Sequence, residues 1–331
     1  MSNKIESTLA KAPKIAILIP CHNEEPTVAD VVTAFRTELP DAQVYVFDNN
    51  SADRTAERAL AAGATVLKEP RQGKGFVVQS MFRRVEADVY VMVDGDATYP
   101  AAEVRRLMAP VIADEADMVV GSRLHSQTQS EFRQINRWGN RLVLALLNSI
   151  FGVRLTDILS GYRAFNRKFV KGLPLFGGGF EIETELTIKA IARGWRIVEI
   201  PTTLTSRPEG SHSKIKFFRD GAIILNTILA LFRDYKPLTF FGSVGLLIVL
   251  VALIPEVWIV IQGLRTRSVS HLLWAVLSVG LSLTGMVLIV AGLILHTIVR
   301  RFQEIEHTLQ VRHDELNANL RRIDSDCWKE Q

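Results

Sequence analysis

Two long apolar segments in the final third of the sequence constrain this chain more than any other feature. Residues 238–263 contain Glu256 as their one charged side chain, and residues 272–299 contain no Asp, Glu, Lys or Arg. Each segment exceeds the ~20 residues that a helix needs to span a bilayer. Because residues 264–271 form a short connection, the two segments predict a transmembrane hairpin whose ends lie on the same side of a membrane.

Charged residues around the hairpin predict which side that is, because cytoplasmic segments of membrane proteins are enriched in Lys and Arg. The basic residues that flank the two ends are Arg219, Arg233, Lys236, Arg300 and Arg301. Arg265 and Arg267 in the connection weaken this asymmetry without reversing it. We therefore expect a multi-pass protein of the inner (cytoplasmic) membrane, with both termini and the residues before the hairpin in the cytoplasm.

The remaining composition excludes some classes of protein. The first 13 residues are polar and lack the apolar region of a cleavable signal peptide. Cys21 and Cys327 fall in segments assigned to the cytosol, so we expect thiols rather than a disulfide. The net charge of +4 comes without a basic stripe interleaved with aromatic residues, so nucleic acid is not an expected partner.

Short apolar runs alternate with helical patterns from residue 14 onwards. The predicted strands are 14–20, a run ending at Asp48, 65–69, 88–94, 118–122 and 196–202, and helices are predicted after several of them. This alternation predicts an α/β fold with a doubly wound, Rossmann-like, mostly parallel sheet. Ligands of such sheets bind at the carboxyl ends of the strands.

One strand end carries two carboxylates one residue apart. In residues 88–100, DVYVMVDGDATYP, Asp94 and Asp96 follow a buried strand with Gly95 between them. Both can reach a hard cation such as Mg²⁺ or Mn²⁺ and leave coordination positions for phosphate oxygens. The alternative is an Asp-Gly-Asp turn without a ligand.

Seven motifs in order carry a resemblance to a known family. They are IPCHNEE (19–25), FDNNSADRT (47–55), RQGKG (71–75), DGDATYP (94–100), GSR (121–123), DILSGYRAF (157–165) and RPEGSHSK (207–214). The chain resembles family 2 glycosyltransferases of GT-A fold, and within them dolichyl-phosphate mannose synthase and the bacterial polyprenyl-phosphate glycosyltransferases. The similarity covers residues 14–236, and a trailing hairpin is found in many bacterial members.

The resemblance implies an activity. It implies inverting transfer of a sugar from a nucleotide-diphosphate sugar, a UDP-sugar or GDP-mannose, to undecaprenyl or dolichyl phosphate at the cytoplasmic membrane face. Two other functions stay open: transfer to a lipid or glycan hydroxyl, for which Asp157 would be the base, and a non-catalytic nucleotide-binding membrane scaffold. The pattern Gln134, Arg137 and Trp138, found in processive polysaccharide synthases, is interpreted as coincidence because it follows Asp96 too soon.

The resemblance also implies roles for individual residues. The nucleotide-sugar-binding set is Pro20, Glu24, Asp48, Lys74, Asp94, Asp96, Arg123 and Lys214, and Asp96 with help from Asp94 would bind Mg²⁺ or Mn²⁺. The catalytic set is Asp157 in an orienting or electrostatic role, Arg163 at the acceptor phosphate and Arg207 at the leaving diphosphate.

Several of these residues have a plainer alternative. Glu24 suits a helix N-terminus, Asp157 a turn cap, Lys214 a contact with lipid headgroups, and RQGKG a solvated turn. Glu183 is expected to face the site, whereas Glu181 and Glu185 are expected to face solvent.

The sequence divides into five predicted segments. They are a polar tail (1–13), a GT-A domain (14–212), interfacial helices (213–236), two transmembrane helices (237–299) and a cytoplasmic C-terminal helix (300–331). Apolar residues repeat every seven positions at Phe302, Leu309, Leu316 and Ile323. This repeat predicts either a weak coiled coil in a homo-oligomer or a single amphipathic helix.

Overall fold

The computed structural model describes residues 12–123, 144–205, 217–266 and 271–327. The chain divides into two compact units, Met1–Ile228 and Leu229–Gln331. The first unit contains a seven-stranded sheet, and the second contains two long apolar helices.

The sheet is mostly parallel, as the alternating sequence pattern predicts. Its strands are β1 (Ile15–Cys21), β2 (Gln43–Asp48), β3 (Thr65–Lys68), β4 (Val89–Met92), β5 (Met118–Ser122), β6 (Arg163–Asn166) and β7 (Ile197–Pro201), in the spatial order β3-β2-β1-β4-β6-β5-β7. Among the strands that the structure describes, only β6 runs antiparallel to its neighbours, β4 and β5. The six predicted strands are present, and β6 is an addition that the sequence pattern did not predict.

Helices cover both faces of the sheet. Up to residue 192, the described α-helices are α1 (Val28–Glu38), α2 (Thr55–Ala61), α3 (Lys74–Arg84), α4 (Val104–Ile112), α5 (144–151), α6 (Arg167–Gly172) and α7 (Ile182–Ala192). Alternate strand residues point to opposite faces, so Ile17 packs in one buried cluster with α1 and α4, whereas Leu18 packs in another with α3, α6 and α7. One apolar core therefore lies on each face of the sheet.

The strand directions bring the polar motifs to one edge. Cys21 of β1 lies beside Asp48 of β2, and Ser122 of β5 lies beside Pro201 of β7. Because β6 is antiparallel, its first residue, Arg163, lies beside Met92 at the carboxyl end of β4. The DILSG segment that precedes β6 therefore reaches the same edge as the two aspartates that follow β4.

The second unit is dominated by a helical hairpin. Helix α8 (Phe217–Tyr235) contains the boundary between the two units and is followed by α9 (Pro237–Thr266) and α10 (Leu272–Cys327). Residues Pro237–Thr266 and Leu272–Ile305, with mean hydropathies of 2.8 and 2.3, are long and apolar enough to cross a membrane. The five-segment division of the sequence remains a prediction, and α10 continues through its boundary at residue 299 without a break.

Small residues let the two helices of the hairpin approach closely. A β-carbon at Gly245 of α9 would lie 2.5 Å from the carbonyl oxygen of Gly285 in α10, so only glycine fits there. The Ser282 hydroxyl donates to the Glu256 carboxylate across the same interface at 2.8 Å. Close backbone contact and interhelical hydrogen bonds are the usual means of packing helices in lipid.

Candidate active site

The turn that carries Asp94 and Asp96 is held rigidly at the end of β4. The buried Thr27 hydroxyl donates to the Gly95 carbonyl at 2.6 Å. The Asp96 side chain is buried, and its Oδ1 accepts from the Thr98 backbone N–H at 3.2 Å and from the Thr98 hydroxyl at 2.6 Å. Both carboxylates are thus fixed at the ligand-binding edge of the sheet.

Lys74 lies beside Asp94 rather than in an open phosphate cradle. Its Nζ is 2.6 Å from Asp94 Oδ1 and 2.5 Å from Glu183 Oε1 of α7. Burial opposes the charge of Lys74, but the two carboxylates outweigh that effect and raise the pKa of Lys74 above its ordinary value. Lys74 is therefore a permanent cation that joins α3, the Asp94 turn and α7.

Asn49 fixes the loop that delivers Lys74. Its amide nitrogen donates to the carbonyls of Glu69 and Arg71 at 2.9 and 2.7 Å, and its amide oxygen accepts from the Gly73 N–H at 2.7 Å. This bonding holds the backbone of RQGKG against Asn49, while Arg71 and Gln72 remain exposed.

The glycines of this loop permit a close backbone approach, because a β-carbon at Gly73 or Gly75 would lie 2.1 Å from a carbonyl oxygen of the triple-glycine segment 177–179. Within the loop, Arg71 pairs with Glu69 at 2.8 Å.

The residues expected at the nucleoside converge on the same edge. Asp48 is buried at the end of β2, where its Oδ1 accepts from the Ser51 N–H at 3.3 Å. Pro20 lies one position before the end of β1. A β-carbon at Gly95 would lie 3.6 Å from Glu24 Cγ, so the Glu24 side chain lies next to the metal-binding turn that the sequence predicts. Helix α1 begins at Val28, and its first-turn acidic residue is Asp30, not Glu24.

Asp157 is buried and forms a bidentate ion pair with the partly exposed Arg123. Arg123 Nε donates to Asp157 Oδ2 at 2.7 Å and Nη2 to Oδ1 at 2.9 Å, and the carboxylate also accepts the backbone N–H groups of Arg123 and Leu159. Burial raises the pKa of a carboxyl, but Arg123 outweighs it, so the pKa of Asp157 lies below its ordinary value. Asp157 is thus an ionised partner of Arg123 that also caps the turn at Leu159.

Glu199 of β7 anchors the segment that carries Asp157. Its carboxylate accepts the backbone N–H groups of Thr156 and Asp157, each at 2.9 Å. Ser122 and Thr156 add a hydroxyl contact of 2.9 Å. The segment that carries Asp157 is therefore held by two strands of the sheet, β5 and β7.

Tyr99 and Gly161 join this segment to the Asp94 turn. The Tyr99 hydroxyl accepts from the Gly161 N–H at 3.1 Å and contacts Ser160 Oγ at 3.3 Å. A β-carbon at Gly161 would lie 2.3 Å from Asp94 Oδ2. Residue 161 must be glycine for the Asp94 carboxylate to occupy its position.

The prediction that Arg163 meets an acceptor phosphate is wrong. Arg163 is fully buried in β6, and its guanidinium donates to the carbonyls of Ser160 and Ile158 at 2.8 and 2.7 Å and to the Thr187 hydroxyl at 2.9 Å. Burial lowers the pKa of Arg163 from its ordinary value. Arg163 therefore stabilises the DILSG loop through the carbonyls of Ile158 and Ser160, and its burial leaves it inaccessible to a ligand.

The expectation that Glu185 faces solvent is also wrong. Glu185 is 3% exposed, pairs with Lys189 at 2.5 Å and accepts the backbone N–H groups of Phe176 and Gly177. Glu181 is half-buried. Arg207 and Lys214, together with the pattern at 134–138, lie outside the described residues.

The carboxylates at this edge suit a hard divalent cation. Asp94 and Asp96 offer oxygen ligands on one short turn, which is the donor chemistry that Mg²⁺ and Mn²⁺ prefer. Among the described residues, no group of three or more His, Cys, Asp or Glu side chains is arranged to hold a metal. A cation here would therefore complete its coordination with oxygens from a bound ligand and water, which is how Mg²⁺ is held beside phosphates.

Comparisons with known proteins agree with this geometry. The model of Glycosyl transferase family 2 matches residues 16–173. Glycosyltransferase AglJ of Haloferax volcanii is 34% identical over 300 residues, which cover 88% of this chain and 98% of the relative. A dolichyl-phosphate hexose transferase of the same organism is 27% identical over 65% of this chain and 92% of its own length.

Solved structures show the same fold. Glucosyl-3-phosphoglycerate synthase from Mycobacterium tuberculosis, in complex with Mn²⁺, UDP-glucose and phosphoglyceric acid, matches 67% of this chain and 80% of its own chain with a TM-score of 0.58 and 23% identity. The expected GT-A fold is therefore confirmed. Because a relative is matched over nearly its whole length and the family model spans strands β1 to β6, this chain belongs to glycosyl transferase family 2 and is a glycosyltransferase.

Proposed function

We propose that the protein transfers a sugar from a nucleoside-diphosphate sugar to a polyprenyl phosphate, with inversion at the anomeric carbon. The observation that carries the proposal is the bonding of Asp157, which is buried and bonded through both oxygens to Arg123. A hydroxyl acceptor needs a base to take its proton. A phosphate acceptor is already ionised at neutral pH and needs none, so a carboxylate committed to Arg123 is compatible with it.

The described residues have distinct parts in this reaction. Asp48, Glu24 and Pro20 would contact the nucleoside, and Lys74 would keep the Asp94 carboxylate in place. A divalent cation held by Asp96 and Asp94 would supply a Lewis acid that neutralises charge on the diphosphate.

Arg123, which the motif assigned to the nucleotide sugar, would instead provide a fixed cation at the acceptor side, because it pairs with Asp157. Asp157 orients the Arg123 guanidinium. Burial lowers the pKa of Arg123, but Tyr99 and the carboxylates of Asp157 and Asp94 outweigh it and raise that pKa above its ordinary value. The Arg123 side chain remains 23% exposed, which leaves it accessible to an acceptor phosphate. Arg207 and Lys214 remain proposed contacts of the diphosphate on the strength of the motif alone.

The proposed reaction is a single displacement at the anomeric carbon of the sugar. An oxygen of the lipid phosphate attacks the anomeric carbon, and the bond from that carbon to the diphosphate breaks with its electron pair. The departing nucleoside diphosphate is stabilised by positive charge. A single displacement from the opposite face inverts the configuration at the anomeric carbon.

Two further observations support a lipid acceptor. One relative, of which the alignment covers 92%, is a dolichyl-phosphate hexose transferase. The hairpin of α9 and α10 would keep the enzyme on the same surface as its lipid and raise their effective concentration. We further propose the inner membrane as its location, with the sheet-containing unit and both termini on the cytoplasmic side, because of the basic residues that flank the hairpin.

The test is product formation by the purified full-length protein in detergent. A panel of radiolabelled UDP-sugars and GDP-mannose is incubated with undecaprenyl or dolichyl phosphate and Mn²⁺. The expected product is extractable into organic solvent and labile to mild acid. UDP-glucose is a rational first donor because the structural neighbour binds it together with Mn²⁺.

Controls separate the proposal from its rivals. Asp96→Asn and excess EDTA should abolish transfer, whereas Asp41→Asn, the same change at an exposed residue before β2, should not. Label that remains aqueous while a soluble glycan or a lipid hydroxyl is extended would refute the phosphate acceptor. Binding of nucleotide without turnover of any donor would favour the scaffold.

A further inference from the structure

A second carboxylate reaches the Asp94 turn indirectly, through Lys74. Glu183 lies in the first turn of α7, and its Oε1 is 2.5 Å from Lys74 Nζ, which is 2.6 Å from Asp94 Oδ1. The side chains of Glu183 and Lys74 are 5% and 13% exposed, so solvent screens their interaction little. Asp94 is more accessible, at 27%.

The charges of these three residues do not cancel. One cation lies between two carboxylates, which leaves a net charge of −1 on the group. If Glu183 were neutral, Lys74 would be committed to Asp94 and would cancel its charge. The group of three residues would then carry no net negative charge to attract a metal ion.

The position of Asp94 is also restricted from its other side. A β-carbon at Gly161 would lie 2.3 Å from Asp94 Oδ2, so the carboxylate fits tightly between Gly161 and Lys74. A change in where Lys74 points would move the Asp94 carboxylate. Residues that orient metal-binding groups in this way typically change metal affinity 10–100-fold when they are replaced.

We infer that Glu183 is a positioning residue for the metal-binding turn: it shares Lys74 with Asp94, and so holds the Asp94 carboxylate in place and leaves the group of three residues with a net negative charge for a divalent cation. This inference rests on the proposed metal-dependent function of the same site. Glu183 itself touches neither substrate nor metal in this scheme.

The experiment measures Mn²⁺-dependent binding of UDP and of GDP to the purified full-length protein by calorimetry, with no acceptor present. Glu183→Gln should raise the Mn²⁺ concentration for half-maximal nucleotide binding about tenfold or more. Glu183→Asp, which keeps the charge on a shorter side chain, should restore part of the loss. Thermal melting without metal checks that each variant is folded.

Glu185→Gln is the matched control. Glu185 lies on the same helix and is 3% exposed, but its carboxylate bonds to Lys189 and to the backbone N–H groups of Phe176 and Gly177. It should lower the melting temperature without changing the Mn²⁺ requirement. If Glu183 is purely structural, Glu183→Gln should also lower the melting temperature without changing the Mn²⁺ requirement. That result would overturn the inference.

A double variant gives a second, independent check. If Glu183 acts through Lys74, adding Glu183→Gln to Lys74→Met should change the Mn²⁺ requirement no further than Lys74→Met alone, and additive effects would contradict the inference. A wild-type protein whose nucleotide binding does not depend on Mn²⁺ would overturn the inference and the metal-dependent function together. Metal dependence in the wild type with an unchanged Glu183→Gln variant would overturn the inference alone.

Discussion

Asp157→Asn should destabilise the sheet-containing unit by an amount that follows from its contacts. Four donors reach the two oxygens of the Asp157 carboxylate, and two of them belong to the Arg123 guanidinium. An amide would place an NH₂ group against two of these donors and leave Arg123 without its counter-charge.

Breaking a buried ion pair from one side costs about 3–5 kcal/mol. We expect the lower end, about 3 kcal/mol, because Arg123 is 23% exposed and can recruit water. At 2–4 °C per kcal/mol for a unit of this size, the melting temperature should fall by roughly 6–12 °C.

The assay is thermal unfolding of the full-length protein in detergent, followed by intrinsic fluorescence. Asp114→Asn is the matched control, because Asp114 pairs with Arg196 while its side chain is 85% exposed. A surface pair of this kind contributes about 0–1 kcal/mol.

The double variant of Arg123→Gln and Asp157→Asn should be more stable than the sum of the two single effects predicts, since neither charge is then left alone. Additive effects, or a shift of under 2 °C for Asp157→Asn, would refute the reasoning.

The same variant distinguishes the role of Asp157 in catalysis. If Asp157 only orients Arg123, Asp157→Asn lowers kcat but leaves the shape of the pH–rate profile unchanged. A base would instead define the acidic limb of that profile, which would be lost in the variant. Loss of the acidic limb in Asp157→Asn would support a hydroxyl acceptor instead of a phosphate.

Three further predictions concern other parts of the chain. Gly161→Ala should lower turnover about 100-fold, because its β-carbon would displace the Asp94 carboxylate and misplacement by about 1 Å has this effect; near-normal initial rates would contradict it. Glu69→Gln should destabilise the protein at pH 7, where the carboxylate bonds to Arg71. Because that bond lowers the pKa of Glu69 from 4.5 to about 2, the stability difference should persist above pH 4.5 and shrink as the pH falls towards 2 in chemical denaturation. If the exposed apolar residues of α10 mediate oligomers, truncation after Arg301 should lower the number of chains per detergent-solubilised particle, measured by light scattering. An unchanged number would exclude that role.

Local patterns in the sequence were sufficient to predict most of the strands and both long apolar helices. Strands such as β1 and β2 are apolar runs flanked by turn residues, and α9 and α10 are long enough to be unmistakable. Strand β6 escaped prediction because it has four residues, begins with a charged one and gains its partners, β4 and β5, only by insertion between them.

The sequence motifs single out candidate site residues but not the contacts between them. Asp94, Asp96 and Asp157 follow from motifs, but the pairing of Lys74 with Glu183 joins residues far apart in sequence, and no local spacing signals it. Arg163 was misassigned for the same reason. A charged residue beside Ser and Gly resembles a ligand contact, and only the packing of α7, which brings Thr187 to its guanidinium, makes it structural.

The insertion of β6 between β4 and β5 also has a consequence for biosynthesis. Strand β5 ends at Ser122, and β6 begins at Arg163, 41 residues later. At 5–20 residues per second, the ribosome needs roughly 2–8 s to make that interval. During this time the outer edge of β4 and both edges of β5 lack their sheet neighbours, and open strand edges are sites of aggregation. Nascent or truncated chains that end before residue 163 should therefore depend on chaperones, and protection from proteolysis should appear only once β6 has left the ribosome.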